Sequence, residues 1–233
     1  MAQPLKPLGN VLITGGASGL GAAAVEAVAA DGGIPLIIDR VPPAQPRYQH
    51  EIVDLADTRA AEKAVQILAE RNGGIDAVFT AAGTDSCGTL RDVPAAQWER
   101  VVQVNLLGTA AVVRAALPYL ERVGGRIVTC ASTLGIKAVS DATAYCASKF
   151  GVVGFTRALA AELQGRVGVT LLVPGGMRTR FFDDREEKYK PPADARLNRP
   201  EDVAAAVLFA LRQPPGCEVR EMVVCPSVES SWP

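Results

Sequence analysis

Tyr145 and Lys149, in the stretch Ala144-Tyr145-Cys146-Ala147-Ser148-Lys149, pose the first chemical question of this 233-residue sequence. On a helix, a spacing of four puts them one turn apart on the same face. A phenol has a reference pKa of about 10 and is a poor base near neutrality, so a tyrosine that accepts a proton needs a fixed positive charge nearby. Lys149 can supply it. The same spacing is also common on solvated helices, so the pair takes its meaning from the rest of the chain. Other acid–base chemistry has little material. His50 is the only histidine and follows a Pro-rich stretch, so neither a His-based metal site nor a Ser-His-Asp triad is expected.

The elements that must position this pair alternate between strand and helix. Residues 10–14 are a short apolar run, and residues 20–31 are Ala- and Val-rich with helical spacing. Between them, Thr14-Gly15-Gly16-Ala17-Ser18-Gly19-Leu20-Gly21 reads as a turn in which glycines let the backbone approach a pyrophosphate. Glycine-rich turns are also built for structural reasons alone. The next strand, residues 34–39, ends at Asp39, about 20 residues after the loop, where a carboxylate can bond an adenosine ribose. That carboxylate would repel a 2′-phosphate and Ser18 offers no basic side chain to attract one, which favours NAD over NADP; Arg40 is the dissenting residue.

Residues 50–53 form a brief strand leading to Asp54-Leu55, which can flank an adenine, and residues 58–70 an amphipathic helix. The strand at 75–80 runs into Ala81-Ala82-Gly83, small enough for a cofactor to lie against the backbone. Residues 96–122 read as one long apolar helix with Asn105 near its middle, and a buried amide there needs a local partner or one across a cavity. The strand at 126–131 leads to Ser132 and Thr133; the helix at 145–163 and the strand at 167–173 follow, the latter ended by Pro174-Gly175, with Thr179 shortly after. Residues 181–197, dense in charge and proline, read either as a mobile flap over a site or as a solvated insertion. A helix at 200–212 and a strand at 219–225 complete the chain. The pattern predicts an α/β fold: a Rossmann-like, doubly wound parallel sheet of about seven strands with helices on both faces, its ligand beyond the carboxyl ends of the strands.

Composition bounds the function. With 48% hydrophobic and 21% charged residues, and 24 basic against 25 acidic side chains, nothing favours nucleic acid or an anionic membrane. The start of the chain lacks a secretory signal, and no later stretch is expected to reach the roughly 20 apolar residues of a membrane span. Cys87, Cys130, Cys146, Cys217 and Cys225 form no C-x-x-C pair and are odd in number, which fits a reducing, cytoplasmic setting. One domain over residues 1–233 is expected.

Taken together, the glycine loop, Asp39, Asn105, Ser132, Tyr145-x-x-x-Lys149 and Pro174-Gly175 resemble the short-chain dehydrogenase/reductases in their compact single-domain form, in order and approximate spacing over essentially the whole chain. One departure stands out. The family usually carries Asn at the position of Thr80, and a threonine that still hydrogen-bonds there would imply a modest rearrangement.

The resemblance implies that Tyr145 is the acid/base, Ser132 holds the reacting oxygen, Lys149 lowers the phenol's pKa and bonds the nicotinamide ribose, and Asn105 positions a water. It implies NAD contacts from Gly15, Ser18, Gly19, Leu20, Gly21, Asp39, Arg40, Asp54, Leu55, Ala81, Gly83, Pro174, Gly175, Met177 and Thr179, and no metal. The expected activity interconverts a secondary alcohol and a ketone. The amino-terminal part looks like NAD-dependent 3-hydroxyacyl-CoA dehydrogenases, and residues 200–225 look more like 3-hydroxy acid dehydrogenases. The alternatives are an NADPH-linked carbonyl reductase and a non-catalytic NAD(H)-binding sensor or scaffold. A homotetramer or homodimer is implied, with the carboxyl tail at 227–233 either reaching a neighbour's site or fraying.

Overall fold

The computed structural model describes residues 5–232; Met1–Pro4 and Pro233, on which part of the readings of the chain's start and tail falls, lie outside the described residues. Within them the chain forms a seven-stranded sheet in the order β3-β2-β1-β4-β5-β6-β7. The strands are β1 (Asn10–Thr14), β2 (Ile34–Asp39), β3 (Gln49–Ile52), β4 (Ala77–Thr80), β5 (Arg126–Cys130), β6 (Gly168–Pro174) and β7 (Glu221–Val224), and every pairing is parallel. The expected doubly wound α/β sheet is therefore present. Its strand order reverses at β1, so a crevice opens between β1 and β4 at the carboxyl edge.

The strands read as near-continuous apolar runs because both faces are covered. Leu12, Leu36, Val78 and Ile127 face one core with α2 (Thr58–Asn72), α4 (Thr109–Val123) and α5 (Thr143–Glu162), while Ile13, Ile37, Phe79 and Val128 face another with α1 (Gly19–Ala30) and α6 (Pro200–Leu211). Each fully buried aliphatic side chain of this kind contributes about 1.5–3 kcal/mol. Helix α2 starts at Asp57, whose carboxylate accepts from Arg59 N and Ala60 N, and ends at a left-handed Gly73.

Two expectations need correction here. The helix predicted over 96–122 is not uniform: α3 (Ala95–Val102) passes through a π-helical turn, Gln103–Gly108, before α4, and Asn105 lies in that turn. One extra residue per turn rotates the chain locally, and such bulges concentrate at functional sites. Moreover, Ala95–Val123 is long and apolar enough to cross a membrane by length and composition, contrary to the reading that no stretch would be. Half of its apolar window is buried against the domain, as for a core helix.

Candidate active site

The glycine loop leaves β1 at Gly15, whose amide donates to Ile38 O at 2.9 Å and whose φ of 72° suits glycine. A methyl on Gly15 would stand 2.8 Å from Ala82 Cα, so this loop and the end of β4 lie backbone to backbone. Gly21 is packed as closely against the Gly15 carbonyl. Ser18 precedes α1 in an extended conformation without capping it, and the first turn of α1 holds no acidic residue. The first amides of α1 thus remain available to an anion at the positive end of the helix. Leu20 is buried in the core, so only its backbone can serve a ligand.

Asp39 stands beside this loop. Its carboxylate accepts from Ala17 N at 2.9 Å and Val41 N at 3.2 Å, which fixes it at the β2 end, while Arg40 is exposed. Farther along the edge, Asp54 is paired with Arg100 at 2.7 Å and Leu55 is buried against the helical face. Thr179 faces Gly19 across the crevice: a methyl on Gly19 would lie 3.4 Å from its Cβ. Pro174 ends β6, Gly175 N donates to Val224 O at 3.0 Å, and Met177 packs on the core below.

The reacting end is built by β5 and α5. Tyr145 sits in the first turn of α5 and is 9% exposed, while Lys149, one turn on, is 4% exposed. Lys149 Nζ donates to Cys130 O at 2.8 Å and lies 5.6 Å from the Tyr145 ring centroid. Ser132 follows β5; its Oγ accepts from Leu134 N at 3.1 Å and sits beside the Tyr145 hydroxyl, where it favours the phenolate. Asn105 spans the gap between elements, accepting from Thr84 N at 2.8 Å and donating to Thr84 O at 2.9 Å and Ser148 Oγ at 3.0 Å. Gly83 lies between them: a methyl there would be 3.5 Å from Asn105 Oδ1 and 3.7 Å from Lys149 Nζ.

On balance the protein around Tyr145 holds the phenol's pKa up. Burial raises the Tyr145 pKa far above its ordinary value, and the neighbouring Cys130 and Asp85 raise it further, against Ser132 and Arg185. Burial also lowers the Lys149 pKa, so a full ammonium charge is costly where it stands. Thr80 requires a correction: its buried hydroxyl has no hydrogen-bond partner among the described residues, so the bond expected there is not made.

Residues remote in sequence cover the site. Phe181, at the head of the charged segment 181–197, lies 5.7 Å from the Tyr145 ring. Arg185 crosses from that segment to Asp85 at 2.6 Å and stacks over Phe181 and Phe182. Asp85 also accepts from Ser86 N and Cys87 Sγ, and burial pushes the Cys87 thiol up to about 11, which keeps it protonated. The carboxyl tail contacts its own chain: Ser231 Oγ meets Thr133 Oγ1 at 2.7 Å and Glu229 accepts from Gly176 N at 2.9 Å. No spacing rule marks Asp85, Arg185 or Glu229, since their partners are set by the fold.

The Asp85–Arg185 pair makes a pH prediction. Asp85 disfavours the Tyr145 phenolate and Arg185 favours it. A step in which Tyr145 accepts a proton needs the phenolate, so its rate rises with pH through the phenol's pKa. Asp85→Asn is expected to move that rise to lower pH and Arg185→Gln to higher pH, measured as kcat/KM against pH.

A family model described as short chain dehydrogenase matches residues 9–190. An uncharacterized oxidoreductase of Staphylococcus aureus (strain MW2) is 33% identical over 175 residues, 74% of each chain. Meso-2,3-butanediol dehydrogenase of Serratia marcescens is 30% identical over 214 residues, 85% of each. A solved short chain dehydrogenase from Burkholderia cenocepacia J2315, in complex with NADP, superposes with a TM-score of 0.83 at 27% identity, covering 94% of this chain and 98% of the other.

Proposed function

The chain belongs to the short-chain dehydrogenase family, and from that premise we propose that it is an NAD-dependent oxidoreductase interconverting a secondary alcohol and its ketone. The observation that carries this reading is the meeting of Ser132, Tyr145 and Lys149 at the carboxyl edge, beside a glycine cradle with free helix amides. A protein that only bound the dinucleotide would need the cradle but not these three side chains together. The Serratia relative is named for a butanediol, which is a secondary alcohol.

The residues present fit a nicotinamide dinucleotide. The pyrophosphate would lie on the first amides of α1, the adenosine ribose at Asp39, and the nicotinamide between Thr179, Pro174-Gly175 and the Tyr145 side. When bound, the nicotinamide supplies a hydride acceptor or donor and, oxidised, a positive charge. For its own part, Ser132 Oγ already accepts from Leu134 N, which leaves its proton free to donate to the substrate oxygen. Tyr145 takes the proton from that oxygen in oxidation and returns it in reduction. Lys149, held by Cys130 O, and Asn105, held by Thr84 and Ser148, keep the polar wall behind Tyr145 in place.

NAD is the preferred cofactor on this reading, because the Asp39 carboxylate, held by two backbone amides beside the glycine loop, would repel a 2′-phosphate on an adenosine ribose bound there. Asp39→Ser is expected to weaken NADH binding about 10- to 100-fold, the value of a hydrogen bond to a charged group, and to improve NADPH binding. Fluorescence titration checks this. Tighter NADPH than NADH binding by the unmodified protein would overturn the role given to Asp39 and favour an NADPH-linked carbonyl reductase.

A further inference from the structure

The carboxyl tail bridges the ends of two neighbouring strands. On the β5 side, Ser231 Oγ bonds Thr133 Oγ1 at 2.7 Å, next to Ser132, and Lys137 Nζ donates to Ser230 O at 3.1 Å. On the β6 side, Glu229 Oε2 accepts from Gly176 N at 2.9 Å. A methyl on Gly175 would overlap this carboxylate and lie 3.1 Å from its Cδ, so Glu229 is laid flat against the backbone that follows Pro174. Strands β5 and β6 are paired, Cys130 opposite Leu172, so both anchors lie at the carboxyl ends of adjacent strands, the edge that also carries Ser132. Adjacent strands are about 4.8 Å apart, so the bridge runs beside the loop that carries Ser132.

The carboxylate is oriented and incompletely used. Glu229 Oε1 accepts from Ser231 N at 3.0 Å and Ser231 Oγ at 2.6 Å, whereas Oε2 has only the Gly176 amide. An ionised carboxylate offers about four acceptor sites, which leaves one on Oε2. Although burial opposes ionisation, the bonds from Ser231 and Gly176 outweigh it, and the Glu229 pKa is lowered overall. A fixed anion with a spare acceptor welcomes a hydroxyl donor and repels another carboxylate.

From this geometry we infer that Glu229 is a specificity-determining residue that accepts a hydrogen bond from a second hydroxyl on the substrate, near the reacting carbon. The preferred substrates are then neutral vicinal diols or polyols rather than the acidic 3-hydroxy compounds that the sequence brought to mind. This inference rests on the alcohol dehydrogenase reading above.

The test compares 2,3-butanediol with 2-butanol, which differ by that second hydroxyl, in NAD reduction followed by NADH absorbance. The unmodified protein is expected to favour the diol in kcat/KM. In Glu229→Gln, and in a chain ending at Pro226, the diol-to-monoalcohol ratio is expected to fall about 10- to 100-fold, the value of a hydrogen bond to a charged acceptor. NADH affinity, titrated by fluorescence on the same variants, verifies that the cofactor site is intact. Turnover with no preference for the diol, or a preference that survives both variants, overturns the role of Glu229 alone. Absence of turnover with either alcohol, in a protein that binds NADH, overturns the dehydrogenase reading and this inference with it.

Discussion

Tyr145→Phe is expected to lower turnover by about a hundredfold to ten-thousandfold, the contribution of a positioned general acid–base, while NADH affinity changes less than about twofold. The difference between the two readouts follows from the site. The substitution removes only the hydroxyl, which stands beside Ser132 Oγ, and keeps the ring that packs against Phe181. Lys149 keeps its bond to Cys130 O, so the wall behind the site is preserved. Steady-state kinetics with NADH fluorescence titration on one preparation separates chemistry from binding. Full activity in the variant would remove Tyr145 as the acid–base and assign the proton transfer to another group.

The second large effect lies in the cradle. Gly21→Ala places a methyl 2.5 Å from the Gly15 carbonyl carbon and 3.0 Å from Gly16 N, and nearer still to the Gly15 oxygen. Both collisions are with backbone, so no side-chain rotation relieves them. The expected cost is about 1–3 kcal/mol of stability, as for other overpacked sites. Because the strain is released by moving Gly15 and Gly16, which shape the pyrophosphate cradle, NADH affinity should fall by about a hundredfold or more, as when about two hydrogen bonds to a charged group are lost. Gly154→Ala in α5 is the control, since nothing lies within 4 Å of its added methyl. It should stabilise the protein by about 0.5–1 kcal/mol, the usual preference for alanine inside a helix. Thermal unfolding and NADH titration of both variants check the pair.

What could be read in the sequence was what the chain encodes locally. The run Asn10–Thr14 followed by glycines, the acid at the end of Ile34–Asp39, and the apolar strand before Ser132 each carry their signal within a few residues, and the sheet holds them where expected. The π-turn around Asn105 had no such signal, because Gln103–Gly108 is as helix-compatible as its flanks and the change is one of hydrogen-bond register. Thr80 looked able to bond because its side chain is polar. Its failure to do so is a property of the packed surroundings of β4, not of the residue type. Arg185 and Asp85 are 100 residues apart, and Glu229 meets Gly176 from 53 residues away. Such contacts are properties of the closed tertiary structure, and in the sequence the same residues are only members of a charged segment and a polar tail.

The reversal of strand order at β1 has a kinetic consequence. No two neighbours in this sheet can pair as a hairpin, since every pairing is parallel and needs a crossover between the strands. The junction of β1 with β4 spans the longest closure along that edge: Asn10 N meets the Asp76 carboxylate 66 residues away, with α1, β2, β3 and α2 intervening. Local helices form in microseconds, whereas non-local parallel pairing is slow and, in chains of this length, passes through intermediates. The crevice between β1 and β4 is thus complete only when the sheet's two halves have joined. A refolding chain should recover its helical circular dichroism before it recovers NADH fluorescence enhancement, which makes the dinucleotide a reporter for the final step of assembly.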